Sequence, residues 1–301
     1  MSSESELIAA LSEVFTLSDS KVIIGIGDDG AVIAPSLHKS VLATDMAVEG
    51  VHFNRSWSTL KEIGAKITAA NLADIYAMGG DPKYLLVSAG LTSDFGILQI
   101  KELASGIKSE ADLVGASIVG GDISSAEQLV ISISVFGEVE NPVTRSGAKV
   151  GDSIIISGLP GKSAAGLIQL QNGVTDSIFI SAHKKPVVNY EIAKKFRTVN
   201  SMCDVSDGLL SELNHIASAS NVGIELDSKL LAQIPGFKEL EAATEEDIWE
   251  LVLSGGEDHV FVATTSENIP EGVFIIGKVV PGKGVKISGV SQLPTTGFRH
   301  F

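Results

Sequence analysis

Aspartate returns again and again to the ends of apolar runs, usually with glycine beside it. Residues 25–33 read GIGDDGAVI, with Asp28 and Asp29 between glycines. Residues 43–53, ATDMAVEGVHF, carry Thr44, Asp45, Glu49 and His52. Asp74 lies in AANLADIYAMGGD and Asp122 in VGGDISS. CDVSDGLLSEL supplies Asp204, Ser206 and Asp207, and SGGEDHVFV supplies Glu257 and Asp258. Any one of these is an ordinary turn, because Gly and Asp both favour turns. Six acidic clusters at element ends point instead to oxygen ligands for a hard cation, and through it to phosphate. The lack of a Cys or paired-His framework selects Mg²⁺ over Zn²⁺.

Asp74 sharpens that reading. It falls on a helical stripe with Ile67, Asn71 and Met78, and the nearest basic residue of that helix is Lys66, two turns away. A carboxylate on an apolar stripe either faces solvent or requires a counter-charge, and a metal ion is the favoured one. Asp204 or Ser206 could cap the helix that follows them, or hold Mg²⁺ against phosphate drawn to a helix N-terminus. Arg145 is either a phosphate contact or an exposed linker charge. His52 is a lone imidazole beside Phe53. Glu257 and Asp258 either bind a cationic substrate group or close a strand turn.

The elements that must position these residues alternate along the chain. β-Branched runs at 40–48, 84–91, 116–121 and 128–139 predict strands, and 59–78 and 95–114 carry helical periodicity. The polar stretch 140–152, ENPVTRSGAKVGD, marks a boundary. Beyond it, 153–158 predicts a strand, then helices over 163–171, 184–196 and 207–220, and strands near 222–226, 258–264 and 273–280. Two α/β or α+β domains result, 1–140 and 141–301. The first residues predict an amphipathic helix with a Ser3–Glu6 capping box. Gly161-Lys162-Ser163 after a strand suggests a phosphate loop, but that loop requires glycine at 156, which is Ile. A glycine turn leading into a helix is the better account.

Composition narrows the partners. Thirty-seven Asp and Glu against 22 Lys and Arg give a net charge of −15 over 301 residues, which argues against nucleic acid and anionic membranes. The single cysteine, Cys203, rules out an intrachain disulfide. No signal-peptide pattern opens the sequence and no apolar run spans a bilayer, so a cytoplasmic protein is expected.

In order, GIGDDGAVI, ATDMAVEGVHF, NLADIYAMGGDP, VGGDIS, TRSGAKVGD, SGLPGKSAAGL, CDVSDGLLSEL and SGGEDHVFV resemble the thiamine-monophosphate kinase family. That family is part of the superfamily named after aminoimidazole ribonucleotide synthetase. The likeness runs from Ile24 to the closing GFRHF. It implies transfer of the γ-phosphoryl of ATP to thiamine monophosphate, in a homodimer whose N-terminal domains share a β-barrel. Residues 1–140 would then bind ATP and metal and dimerise, and 141–301 would complete the nucleotide and substrate site. By the same likeness several Mg²⁺ ions are held by Asp29, Thr44, Asp45, Asp74, Asp122, Asp204 and Asp207. Gly121, Asp122, Arg145 and Ser206 hold ATP, and His52, Glu257 and Phe298 face the substrate. Ala43, where the family commonly has a hydroxyl residue, and the run EDHVF depart from the pattern. The absence of an N-terminal cysteine argues against selenophosphate synthetase, and the seven candidate ligands argue against a non-catalytic nucleotide-binding relative.

Overall fold

The computed structural model describes residues 3–17, 19–27, 30–267 and 269–290. Its contacts divide the chain into two units, 1–75 with 80–140 and 76–79 with 141–301.

Unit 1 runs α1 (Glu4–Val14), β1 (Val22–Ile24), β2 (Val32–Ile33), β3 (Lys39–Val48), α2 (Leu60–Ala77), β4 (Asp81–Leu91), α3 (Ile97–Asp112), β5 (Ser117–Ser125) and β6 (Val130–Val139). The Ser3–Glu6 capping box is formed, and a second box, Thr59 with Glu62, opens α2. β1 and β2 pair with each other, and the larger sheet has the order β3-β6-β4-β5. β3, β6 and β4 pair antiparallel, and β5 joins β4 in parallel through the crossover helix α3. Alternation along β6 explains the two faces of this sheet. Ile131, Ile133 and Val135 are fully buried, whereas their neighbours Ser132, Ser134 and Phe136 share the other face with Leu42 and Met46, both exposed. Gly121 lies where a Cβ would come within 1.8 Å of the Val87 carbonyl oxygen, so only glycine lets β5 approach β4 there.

Unit 2 continues with β7 (Ser153–Ile156), α4 (Lys162–Gln171), α5 (Ile178–Lys184), α6 (Tyr190–Lys195), β8 (Ser201–Asp204), α7 (Leu209–Ser220), β9 (Gly223–Asp227), α8 (Ser228–Leu231), α9 (Phe237–Glu241), α10 (Ile248–Ser254), β10 (Phe261–Thr265), β11 (Phe274–Val280) and β12 (Gly284–Ser288). Six strands form one sheet in the order β12-β9-β11-β7-β10-β8, antiparallel except for the β12–β9 pair. Ile154, Ile156, Val262 and Ile276 from its strands join Leu213, Ile216, Leu251 and Val252 from α7 and α10 in the core. The fold is mixed α/β in two units.

Two expected elements differ. The helix expected over 184–196 begins only at Tyr190, as α6, and a separate helix, α5, ends at Lys184; Pro186 lies in the gap, because proline lacks the N–H a continuous helix needs. The strand expected over 258–264 starts only at Phe261, because Glu257 and His259 take positive φ (62° and 51°), which breaks extended geometry. Among the described residues no helix is long and apolar enough to cross a membrane.

Candidate functional site

In unit 1 the edge strand β3 presents Thr44 and Asp45 in succession, on opposite faces. Thr44 Oγ1 lies 3.1 Å from the Ile133 carbonyl oxygen, to which it donates, and 3.0 Å from Ser134 Oγ. The Asp45 N–H donates to Asn71 Oδ1 of α2 at 2.9 Å, and Asn71 Nδ2 donates to the Ile67 carbonyl at 2.9 Å. Fully buried Asn71 thus ties α2 to the open edge of β3. Asp74, half-buried, comes three residues later on the same face of α2, so the stripe read from the sequence lies along the strand that carries Asp45.

Asp122 lies elsewhere. It pairs with Ser88, which pairs with Ser132, which pairs with Met46. That row crosses all four strands, so Asp122 stands roughly 14 Å from β3 at the usual strand spacing. Gly121 and Asp122 border a cavity of about 910 Å³ whose walls include Phe15, Val87 and Ile100. That volume suits a nucleotide-sized ligand.

His52 closes the turn after β3. The Val48 N–H donates to its Nδ1 at 3.1 Å, its own N–H donates to the Val48 carbonyl at 3.0 Å, and buried Lys66 donates to its carbonyl at 3.2 Å. A backbone N–H can only donate, so Nδ1 carries the lone pair and the ring proton sits on Nε2.

In unit 2 the loop 204–208 between β8 and α7 carries Asp204, Ser206 and Asp207. Asp204 is buried, and His259 Nδ1 donates to its Oδ2 at 2.9 Å. Ser206 and Asp207 are half-buried, and Ser206 accepts the Glu257 N–H at 2.7 Å. Exposed Arg145 lies 3.7 Å from Glu212 Oε2, and His215 Nδ1 lies 3.3 Å from the same oxygen. Burial, then the Asp204 charge, push the Glu212 carboxyl up. Burial, followed by Glu212 and Asp204, push the Cys203 thiol well up, so it is no nucleophile.

The Gly161-Lys162-Ser163 turn does lead into a helix, with Gly161 left-handed at its N-cap (φ 96°). Its amides are already occupied. Asp258 accepts from the Gly161 N–H at 2.6 Å and the Ser163 N–H at 3.0 Å, so an internal carboxylate sits where a phosphate would. Burial nevertheless raises the Asp258 carboxyl to about 6.

Asp29, with its neighbour Asp28, and Phe298 lie outside the described residues. Among the described residues no three His, Cys, Asp or Glu side chains gather closely enough to hold one ion. Magnesium does not require that, because it is commonly bound by one or two carboxylates together with phosphate and water. The Asp45–Asp74 edge and the Asp204–Asp207 loop, all oxygen donors, fit that mode. Asn71, His183, Glu212 and His259 were not picked out by spacing. Only Asn71, on the Asp74 stripe, and Glu212, three residues before His215, leave a local sign in the sequence.

Two family comparisons cover most of the chain: the AIR synthase related protein N-terminal domain matches residues 27–139, and the C-terminal domain matches residues 149–290. The thiamine-monophosphate kinase of Mycobacterium tuberculosis is 37% identical over 287 residues, which is 93% of this chain and 86% of that protein. A solved structure described as AaThiL complexed with AMPPCP and TMP superposes with a TM-score of 0.82 at 33% identity, covering 99% and 97% of the two chains. The thiamine-monophosphate kinase of Stenotrophomonas maltophilia superposes with a TM-score of 0.84 at 27% identity, covering 96% and 98%.

Proposed function

The chain belongs to the AIR synthase related family and, within it, to the thiamine-monophosphate kinases; from that premise we propose that it transfers the γ-phosphoryl group of ATP to the phosphate of thiamine monophosphate, giving thiamine diphosphate and ADP. The observation that carries this reading is the near full-length likeness to a structure described with AMPPCP, a non-transferable ATP mimic, and TMP.

Gly121 and Asp122, beside the 910 Å³ cavity, hold the nucleotide, with Arg145 and Ser206 as further contacts. Asp29, Thr44, Asp45, Asp74 and Asp122 in unit 1 and Asp204 and Asp207 in unit 2 are the magnesium ligands. Bound Mg²⁺ supplies charge neutralisation and in-line alignment of the phosphates. Asn71 steadies the edge that presents Asp45, and His52 offers its Nε2–H to the acceptor. Glu257 and Phe298 complete the acceptor contacts. Transfer is direct. The Cys203 thiol is held protonated, and Ser163, which lies 3.0 Å from His183 Nδ1, is only 1% exposed and out of reach of an incoming phosphorus.

The exposed Leu42 and Met46 on the open face of the unit 1 sheet, which β3 and β5 end among the described residues, support a homodimer with a shared barrel. The test is to incubate the purified chain with Mg-ATP and thiamine monophosphate and separate the products. Thiamine diphosphate and ADP in equal amounts are expected; ATP consumed without thiamine diphosphate, or no turnover at all, overturns the assignment.

A further inference from the structure

Glu257 is fixed at its backbone against a neighbouring loop, and its carboxylate faces a buried imidazole. Its φ of 62° is left-handed, unusual for a residue with a long side chain. Its N–H donates to the Ser206 carbonyl at 2.7 Å, and the His259 N–H donates to the Val205 carbonyl at 3.0 Å. The segment 255–259 is thereby laid against the loop that carries Asp204 and Asp207. Gly256 is part of this fit, because a Cβ there would come within 2.4 Å of the Ser206 carbonyl oxygen.

The Glu257 carboxylate reaches toward the α4–α5 pair. Its Oε2 lies 3.7 Å from His183 Nδ1, with its side chain 35% exposed and that of His183 only 7%. The same Nδ1 lies 3.0 Å from Ser163 Oγ. His183 is fixed independently of the glutamate. At Gly166 α4 and α5 approach so closely that a Cβ would fall 2.0 Å from the Phe179 carbonyl oxygen and 2.9 Å from His183 Cβ. Ser163 is fixed too, since its N–H donates to Asp258. Nδ1 is hydrogen-bonded to the Ser163 hydroxyl, and the Glu257 carboxylate, beyond hydrogen-bond length, meets the same edge of the ring as a neighbouring charge.

We propose that His183, steadied by Ser163, is a positioning residue that aims the Glu257 carboxylate at the cationic thiazolium of the acceptor. It does not touch substrate. This rests on the kinase reading above, because only that reading supplies a cationic acceptor. It goes further by assigning a role to a buried pair, Ser163 and His183, that phosphoryl transfer does not use directly.

The test uses the full chain and four variants. Asn at 183 returns a polar group close to Nδ1, whereas Leu removes it. His183→Leu is expected to raise the KM for thiamine monophosphate about tenfold or more, with kcat and the KM for ATP within about twofold. His183→Asn is expected to recover most of that loss. If Leu and Asn variants behave alike, or if His183→Leu lowers kcat and leaves that KM unchanged, the residue is merely structural and the proposal falls. The pairing is also read without turnover, from denaturant unfolding of His183→Leu, Glu257→Gln and the double variant. The unfolding constant of the double variant should depart at least about threefold from the product of the single effects. Additive effects overturn the pairing. If the unsubstituted chain leaves thiamine monophosphate unchanged, the kinase reading and the aiming role fall together, whereas additive unfolding with full activity rejects the positioning alone.

Discussion

The two units treat their carboxylates in opposite ways. In unit 1, Asp45 and Asp122 stand exposed at the two edges of a four-stranded sheet, with Asp74 half-buried on the helix alongside. In unit 2, Asp204, Glu212 and Asp258 are buried, and each meets a defined partner: His259, the Arg145–His215 pair, and the first amides of α4. The sequence writes both sets with the same letters, an acidic residue near glycine at an element end. Burial separates them. Glu212 and Asp258 organise loops from the interior, whereas Asp204, buried against His259, would have to trade that imidazole for the cation to serve as a magnesium ligand.

The largest effect should come from unit 1. Asp45→Asn and Asp74→Asn are each expected to cut turnover at least about a hundredfold, because each removes charge that would offset a metal and its phosphates. Melting temperature should move by only about 3 °C. Either variant turning over normally at limiting Mg²⁺ would erase the distinction between the units. In unit 2 the loss should be one of stability. His259→Leu leaves the Asp204 carboxylate buried without its hydrogen-bond donor, at a cost of about 3 kcal/mol. Calorimetry should show a melting temperature lower by roughly 5–10 °C; an unchanged value would mean that Asp204 does not depend on that imidazole.

Asp258 gives an effect of comparable size that depends on pH. Its carboxyl is raised from 3.8 to about 6, so between these values the folded chain holds a proton that the unfolded chain releases. The stability this confers is complete below pH 4 and is lost as pH rises through 6, about 3 kcal/mol in all. Asp258→Asn lacks that dependence. Its destabilisation relative to the unsubstituted chain, measured by urea unfolding, should therefore be larger at pH 4.5 than at pH 7.5; equal values would contradict the raised carboxyl. Smallest of all is a spectroscopic contrast. Nitrogen NMR should find the ring proton of His52 on Nε2 and that of His259 on Nδ1, and a proton on Nδ1 of His52 would break the Val48 hydrogen bond described above.

The long periodic elements were legible in the sequence. The runs at 40–48 and 59–78 become β3 (Lys39–Val48) and α2 (Leu60–Ala77), because one alternation or one stripe persists long enough to fix the element. Short pieces were not. The helices α8, α9 and α10 span four, five and seven residues, too few to show a period. The positive φ at Glu257 and His259 was hidden as well, since neither residue type announces it. At the candidate site, acidic residues near glycine could be picked out, but not which of them would be buried. The partners that decide this come from far along the chain, as His259 does for Asp204 and Asn71 for Asp45.

The carboxylate that seals the start of α4 also sets a timetable. Asp258 lies 97 residues beyond Gly161, so α4 is made long before its cap exists. At roughly 5–20 residues per second, a chain leaving the ribosome would wait roughly 5–20 s with those amides open. During that interval, any anion in the surrounding solution can occupy the place that Asp258 later takes. Closure of this half of the molecule therefore falls to one of its last-made segments, the turn that leads into β10.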